Sequence, residues 1–68
     1  MMIALTVNGK AREASGPVSI ESYLAEIGIT QSHIAVAHNG EVVRRAELSG
    51  ITLKDGDRLE IVRAVGGG

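Results

Sequence analysis

Apolar and polar side chains alternate at the start of the chain, which predicts a β-strand with one buried face. Apolar residues fall at every second position between residues 2 and 7, the period-two pattern of a strand. Asn8-Gly9 follows at once, and this dipeptide tolerates the positive φ angles of a type I′ turn. We therefore predict a hairpin whose second strand runs from Lys10 to Ala14.

A helical period replaces this alternation after Gly16-Pro17. Ser19 is a residue type that caps helix N-termini, and Gly28 suits the left-handed position that follows a last helical turn. The apolar positions between them have the spacing i, i+3, i+4 and i+7, and they are Ile20, Tyr23, Leu24 and Ile27. This spacing predicts one amphipathic helix with a buried face.

The second half of the chain predicts more strands. Residues 34–38 alternate before a second turn at Asn39-Gly40, so Val42 and Val43 are expected to return as a hairpin. The sequence Lys54-Asp55-Gly56-Asp57 is a turn signal, and the alternating segment after it predicts a final strand. Residues 46–53 have a mixed period, and we predict a short irregular or 3₁₀ connection there that covers the core.

These elements predict an α+β domain of about five strands and one helix, with the helix packed across one face of a mixed sheet. A crossover through a helix returns the chain parallel to its first strand, so the final strand is expected at the centre of the sheet beside the first. The other sheet face is expected to face water. The side chains expected to point at the helix are Ile3, Leu5, Val7, Ile34, Val36, Leu59 and Ile61.

The length of 68 residues allows one small domain. Its core must come from aliphatic side chains, because Tyr23 is the single aromatic residue. A ligand pocket of about 300 Å³ or more would consume much of such a core. We therefore expect a surface or a terminus, rather than an enclosed active site, to carry the function.

Charge and composition exclude several functional classes. The net charge is -1 and the Lys and Arg residues are scattered, which leaves no electrostatic basis for binding nucleic acid. The absence of Cys excludes disulfides and thiolate metal sites. No apolar span reaches the roughly 20 residues of a membrane crossing, and the N-terminal segment does not resemble a signal peptide. We expect a soluble cytoplasmic protein without nucleic acid or membrane partners.

Three polar motifs have simple structural explanations. His33 and His38 have no carboxylate or thiol at a recognisable ligand spacing, and Asp55 and Asp57 offer too few oxygen ligands for Ca²⁺. No metal is therefore predicted. Arg44-Arg45 could contact an acidic partner, although such a pair more often solvates the end of a strand.

The whole chain resembles the ThiS family of ubiquitin-like sulfur carriers, which have the β-grasp fold. The resemblance rests on the order of a VNGK turn, an amphipathic helix, an AVAHNGEVV hairpin, the segment LKDGDRLEIV and a terminal VGGG. It implies a β-grasp domain over residues 1–65 and a flexible functional tail over residues 66–68. Two features depart from the family pattern: His38 stands where an aliphatic residue is usual, and Arg44-Arg45 stands where Pro then Arg is common.

The resemblance also implies what the tail does. Gly68 is expected to be the modified residue, adenylated by an E1-like, ThiF-like enzyme and converted to a thiocarboxylate by a sulfur-donating system. A ThiG-like thiazole synthase then takes the sulfur for the thiazole ring of thiamine. Gly66 and Gly67 have no Cβ and are expected to enter partner active sites too narrow for other residues. The chain is expected to catalyse nothing and to bind no cofactor, since the activating enzyme uses the ATP.

A partner enzyme would also need a surface to grip. Ala4, Thr6, Val62 and Ala64 are small or apolar residues expected on the sheet face away from the helix. We predict that they form a docking surface. The alternative is an ordinary solvated strand surface, which Glu60 in the same row favours.

Two other functions stay open on the sequence. The small subunit of molybdopterin synthase has the same fold, tail and thiocarboxylate with a different sulfur acceptor, although such relatives are generally longer. A ubiquitin-like binding module would use the sheet and tail without sulfur chemistry. An enzyme in its own right is disfavoured, because the sequence offers no set of nucleophile, base and orienting group.

Overall fold

Two β-hairpins and a final strand form a five-stranded mixed sheet in the structure, a computed structural model that describes residues 1–29 and 33–63. The elements are β1 (Met2–Val7), β2 (Lys10–Ser15), β3 (Val18–Ser19), α1 (Ile20–Glu26), β4 (Ile34–His38), β5 (Glu41–Val43), a 3₁₀ turn (Arg45–Glu47), β6 (Thr52–Leu53) and β7 (Arg58–Arg63). The order across the sheet is β2-β1-β7-β4-β5, with β7 parallel to β1 and antiparallel to β4. The predicted central position of the last strand is therefore confirmed.

Both hairpins close through an Asn-Gly turn, as the sequence predicts. Asn8 and Gly9 have φ angles of 51° and 80°, and Asn39 and Gly40 have φ angles of 51° and 87°. Positive φ at both central residues is the requirement of a type I′ turn, whose twist matches that of the flanking strands. The turn chemistry therefore sets the register of each hairpin.

Helix α1 begins and ends at the residues that the sequence indicates. The Ser19 hydroxyl accepts a hydrogen bond from the Ser22 N–H at 3.0 Å, which caps the first turn. At the other end Gly28 has φ of 80°, its N–H donates to the Ala25 carbonyl, and the Ile29 N–H donates to the Leu24 carbonyl. This pair of bonds is the Schellman motif. No helix within residues 1–29 and 33–63, this seven-residue one included, is long and apolar enough to cross a membrane.

The core lies between α1 and one face of the sheet. The helix buries Ile20, Tyr23 and Leu24 against it. Three of the predicted core residues, Ile27, Ile34 and Ile61, are only partly buried at its margin. The buried apolar residues are Ile3, Leu5, Val7, Ala14, Ile20, Tyr23, Leu24, Val36, Val43, Leu48, Leu53 and Leu59.

The connection between β5 and β7 is more ordered than the sequence predicts. It contains the expected 3₁₀ turn, but it also contains β6, which pairs antiparallel with β3 in a separate two-stranded sheet. The carbonyls of Ile51 and Leu48 accept hydrogen bonds from the Ile20 and Glu21 N–H groups at 3.0 and 3.1 Å. The connection thus supplies acceptors for N–H groups that the first helical turn leaves without partners.

Candidate functional site

The central strand β7 leads directly into the glycine-rich end of the sequence. Its last residue, Arg63, pairs with Ile34 at the start of β4. Ala64, Gly66, Gly67 and Gly68, all candidate site residues, lie outside the described residues. The part of the candidate site that the structure describes is therefore β7 itself and the open sheet face around it.

The Asn side chains of both hairpin turns hold β7, one at each end. At its start, Asn39 Oδ1 accepts a hydrogen bond from the Arg58 N–H at 2.8 Å, and the Asn39 N–H donates to the Arg58 carbonyl. Near its end, Asn8 Oδ1 accepts from the Ile61 N–H at 2.7 Å and Asn8 Nδ2 donates to the Ile61 carbonyl at 3.2 Å. The strand that precedes the tail is thereby fixed by side chains as well as by its ladder bonds.

A buried carboxylate joins this network immediately before β7. Asp57 is 9% exposed, and its Oδ2 lies 2.8 Å from His38 Nε2 and accepts from the Lys54 N–H at 2.9 Å. Its Oδ1 accepts from Asn39 Nδ2 at 3.1 Å. Burial works to raise the pKa of Asp57, but the hydrogen bonds from His38, Lys54 and Asn39 together outweigh it and hold the pKa below the ordinary value of 3.8.

The sequence contains no carboxylate at a recognisable ligand spacing from His38, but the structure brings Asp57 against it. Asp57 lies 19 residues further along the chain, a separation that matches no local spacing rule. The pairing arises because His38 ends β4 and pairs with Leu59 near the start of β7. The sequence contains both turns, Asn39-Gly40 and Asp55-Gly56-Asp57. They become neighbours only because β4 pairs with β7, so the contact between His38 and Asp57 could be predicted only with the strand order known.

We expect the contribution of Asp57 to stability to depend on pH. Because its folded pKa is depressed, the stabilisation is complete above the ordinary carboxyl pKa and is lost as pH falls through the folded pKa. Asp57→Asn should lower the free energy of unfolding by about 1–3 kcal/mol at pH 7. Urea unfolding of both proteins from pH 7 to pH 2 should show the difference shrinking in acid, and a constant difference would contradict this account.

Three of the predicted docking residues are described by the structure, and these three share one face of the sheet but do not form one cluster. Ala4 and Val62 are exposed and Thr6 is half-buried, all on the face opposite α1. The Ala4 carbonyl accepts from the Gly56 N–H, so Val62 lies six residues further along, or about 20 Å of strand. Arg58 and Glu60 occupy the positions between them on β7.

Val62 instead belongs to an apolar patch on the β4–β5 side of the same face. Its neighbour across the ladder is Ala35, while Ala37 pairs with Glu60 on one side and Val42 on the other. Val42 is 81% exposed and Val62 is 63% exposed. The patch of Ala35, Ala37, Val42 and Val62 lines a shallow hollow of about 200 Å³ together with Glu60. The alternation of residues 34–38 contained this signal, since every second residue there had to face away from the core.

The two aspartates of the DGD motif act as structural turn residues. Asp55 Oδ1 accepts from the Ala4 N–H at 2.7 Å, and the Asp57 N–H donates to the Lys54 carbonyl across the turn. Gly56 has φ of 89°, a conformation that glycine adopts without a steric penalty. Across residues 1–29 and 33–63, no three His, Cys, Asp or Glu side chains are arranged to hold a metal ion.

A mixed sheet in the order β2-β1-β7-β4-β5, crossed on one face by a single helix, is the ubiquitin-like β-grasp fold. The ThiS family model matches residues 5–68 of the sequence. The chain therefore belongs to the ThiS family.

The similar proteins have names from thiamine biosynthesis. The crystal structure of the thiamine biosynthesis protein ThiS from Geobacter metallireducens superimposes with a TM-score of 0.84 at 35% identity, covering 97% of this chain and 100% of that one. A thiazole synthase from Paramagnetospirillum magneticum is 38% identical over 94% of this chain, and one from Magnetococcus marinus is 31% identical over 91%. The chain spans about a fifth of the length of each synthase, 20% and 19% respectively.

Proposed function

We propose that this chain is a sulfur carrier of thiamine biosynthesis, in which Gly68 carries sulfur as a thiocarboxylate for the thiazole ring. The observation that carries the proposal is the family match, because it extends over residues 5–68 and includes the three glycines. The names of the similar proteins, thiamine biosynthesis protein and thiazole synthase, favour this acceptor over that of molybdopterin synthase.

The proposed chemistry needs only a carboxylate from this chain. An α-carboxylate is ionised at neutral pH and is a poor acyl donor until it is activated. At a ThiF-like enzyme its oxygen attacks the α-phosphorus of ATP and pyrophosphate leaves, which gives an acyl adenylate. Sulfide-level sulfur from a sulfur-donating system then attacks the acyl carbon, the bond to AMP breaks, and a thiocarboxylate is left with release of AMP and a proton. Transfer of this sulfur at a ThiG-like thiazole synthase restores the carboxylate, with the oxygen supplied by the acceptor substrate or by water.

In this proposal the partner enzymes supply all the catalytic groups. ATP is bound and consumed at the activating enzyme, so the carrier acts as a protein cosubstrate and holds no cofactor of its own. The absence of side chains at Gly66 and Gly67 allows these residues to follow a narrow channel, at roughly 3.3–3.6 Å per residue when extended. The folded body stays outside the partner's active site.

The patch of Ala35, Ala37, Val42 and Val62 is the surface that we propose the activating enzyme grips. Apolar area at the centre of an interface is a common source of binding energy, and one residue of this patch, Val62, lies on the strand that leads to the tail. Ala4 and Thr6 lie at the far end of the same face, where a larger partner would extend the contact.

We expect Val62→Glu to weaken binding of the activating enzyme on the order of tenfold or more, because a carboxylate would be desolvated in the contact. The melting temperature should change little, since Val62 is 63% exposed. Ala25→Glu is the matched control, because Ala25 is exposed on α1, on the opposite side of the molecule. Titration calorimetry measures the affinity of each variant for the enzyme. Equal affinities for the two variants would remove the patch from the proposal.

Intact-mass analysis tests the proposed function. The chain is incubated with a ThiF-like enzyme, ATP and a sulfur source, and the expected product has the mass of an oxygen-to-sulfur exchange. An unchanged mass would overturn the proposal and favour a ubiquitin-like binding module. The thiocarboxylate form is then offered separately to thiazole synthase and to the large subunit of molybdopterin synthase. Sulfur release only with the second enzyme would assign the chain to the other pathway.

A further inference from the structure

The side chain of Asn8 makes the two hydrogen bonds to β7 that the backbone of a longer β1 would make. Strand β1 ends at Val7, opposite Leu59, and its chain turns away at Asn8-Gly9. The Asn8 N–H still donates to the Leu59 carbonyl at 2.9 Å. A longer β1 would next offer a carbonyl to the Ile61 N–H and an N–H to the Ile61 carbonyl. The Asn8 amide oxygen and nitrogen make these two bonds, at 2.7 and 3.2 Å.

The two Asn8 side-chain bonds stabilise the part of β7 that extends past the end of β1. From Ile61 to Arg63, β7 pairs with β4 on one side, where Val36 lies opposite Ile61 and Ile34 lies opposite Arg63. The Asn8 amide holds the other side at Ile61, two residues before the strand ends. A strand with partners on both sides has less freedom to swing in the plane of the sheet than a strand with one.

We propose that Asn8 is a positioning residue for sulfur loading, because it fixes the direction in which β7 delivers the tail to a partner. The inference rests on the proposed function. The body of the carrier docks through its surface, while the angle at which the chain leaves Arg63 sets where the Gly68 carboxylate meets ATP. Small misplacements of reacting groups cost large factors in rate, so loss of the Asn8 bonds should slow activation without weakening docking.

The chemistry of the site identifies the variants that test this role. Asn8 has φ of 51°, so Asn8→Gly keeps the turn conformation and removes only the side-chain bonds. Asn8→Asp keeps the acceptor for the Ile61 N–H but replaces the donor to the Ile61 carbonyl with an oxygen. Asn39→Gly is the matched control, because Asn39 occupies the same turn position with the same φ and holds the start of β7 at Arg58.

The experiment measures ATP–pyrophosphate exchange by a ThiF-like enzyme with each variant as the carrier, at equal concentrations of folded protein. We expect Asn8→Gly and Asn8→Asp to lower kcat on the order of tenfold with KM for the carrier unchanged, whereas Asn39→Gly keeps both constants within about twofold of wild type. Amide hydrogen exchange should show faster exchange at Ile61 in Asn8→Gly than in the other proteins.

Each outcome separates this inference from the proposal on which it rests. If Asn8→Gly and Asn39→Gly have the same kcat, or if Asn8→Gly changes only KM, Asn8 has a purely structural role and the inference is overturned while the sulfur-carrier function stands. If wild-type carrier supports no exchange at all, the proposed function fails, and the positioning role fails with it.

Discussion

Gly67→Val is expected to reduce thiocarboxylate formation on the order of a hundredfold or more while leaving the melting temperature unchanged. A β-branched side chain restricts the backbone and adds width at a position that we propose must enter a narrow channel. Gly67 lies outside the described residues, and the substitution deletes no side chain because glycine has none. Mass spectrometry of the loading reaction and a thermal melt measure the two quantities.

Gly67→Ala gives this prediction a graded control. Its single methyl group should reduce loading less than the valine side chain does, because the steric cost rises with side-chain volume. Turnover of Gly67→Val at the wild-type rate would show that the tail does not enter a confined site. A large loss of stability in the same variant would instead indicate that the glycine segment packs against the domain.

Leu59→Ala is expected to cost about 2–5 kcal/mol of unfolding free energy. Leu59 is 1% exposed on the central strand, and its side chain belongs to the core cluster with Leu5, Val7 and Leu24. A single hydrophobic core in a domain of this size rarely supplies more than about 3–5 kcal/mol of net stability. The variant should therefore be largely unfolded at 37 °C.

Val62→Ala is the matched control on the same strand. Val62 faces the solvent side of the sheet and is 63% exposed, so truncation should change stability by no more than about 0.5 kcal/mol. Urea unfolding followed by circular dichroism compares the two variants with wild type. A similar small effect for both variants would contradict the assignment of Leu59 to the hydrophobic core.

Local sequence patterns were sufficient to predict most of the sheet and the helix. Each Asn-Gly dipeptide tolerates the two positive φ angles that a type I′ turn requires, and such a turn leaves little choice of partner for the strands on either side. Ser19 and Gly28 mark the two ends of α1 through interactions with residues three or four positions away. Because these signals involve only residues close together in the chain, the turns and the helix ends can be predicted from the sequence alone.

The remaining features depend on contacts between distant segments. Strand β6 forms only because β3 offers it a partner, with Val18 opposite Leu53. The bond between His38 and Asp57 and the two bonds from Asn8 to Ile61 require the strand order β1-β7-β4. The same holds for the docking surface, because whether Val62 adjoins Ala4 or Ala35 is decided by strand register and not by side-chain type.

The central place of β7 also has a consequence for synthesis of the protein. The hairpin of β1 and β2 and the hairpin of β4 and β5 are joined in one sheet only through this strand, the last one made. A nascent chain that ends before Arg58 has no strand to connect its two hairpins, and its apolar patch lacks Val62. Incomplete translation products lack Val62 and the whole of β7, so under the proposed function we expect them not to compete with finished carriers for the activating enzyme.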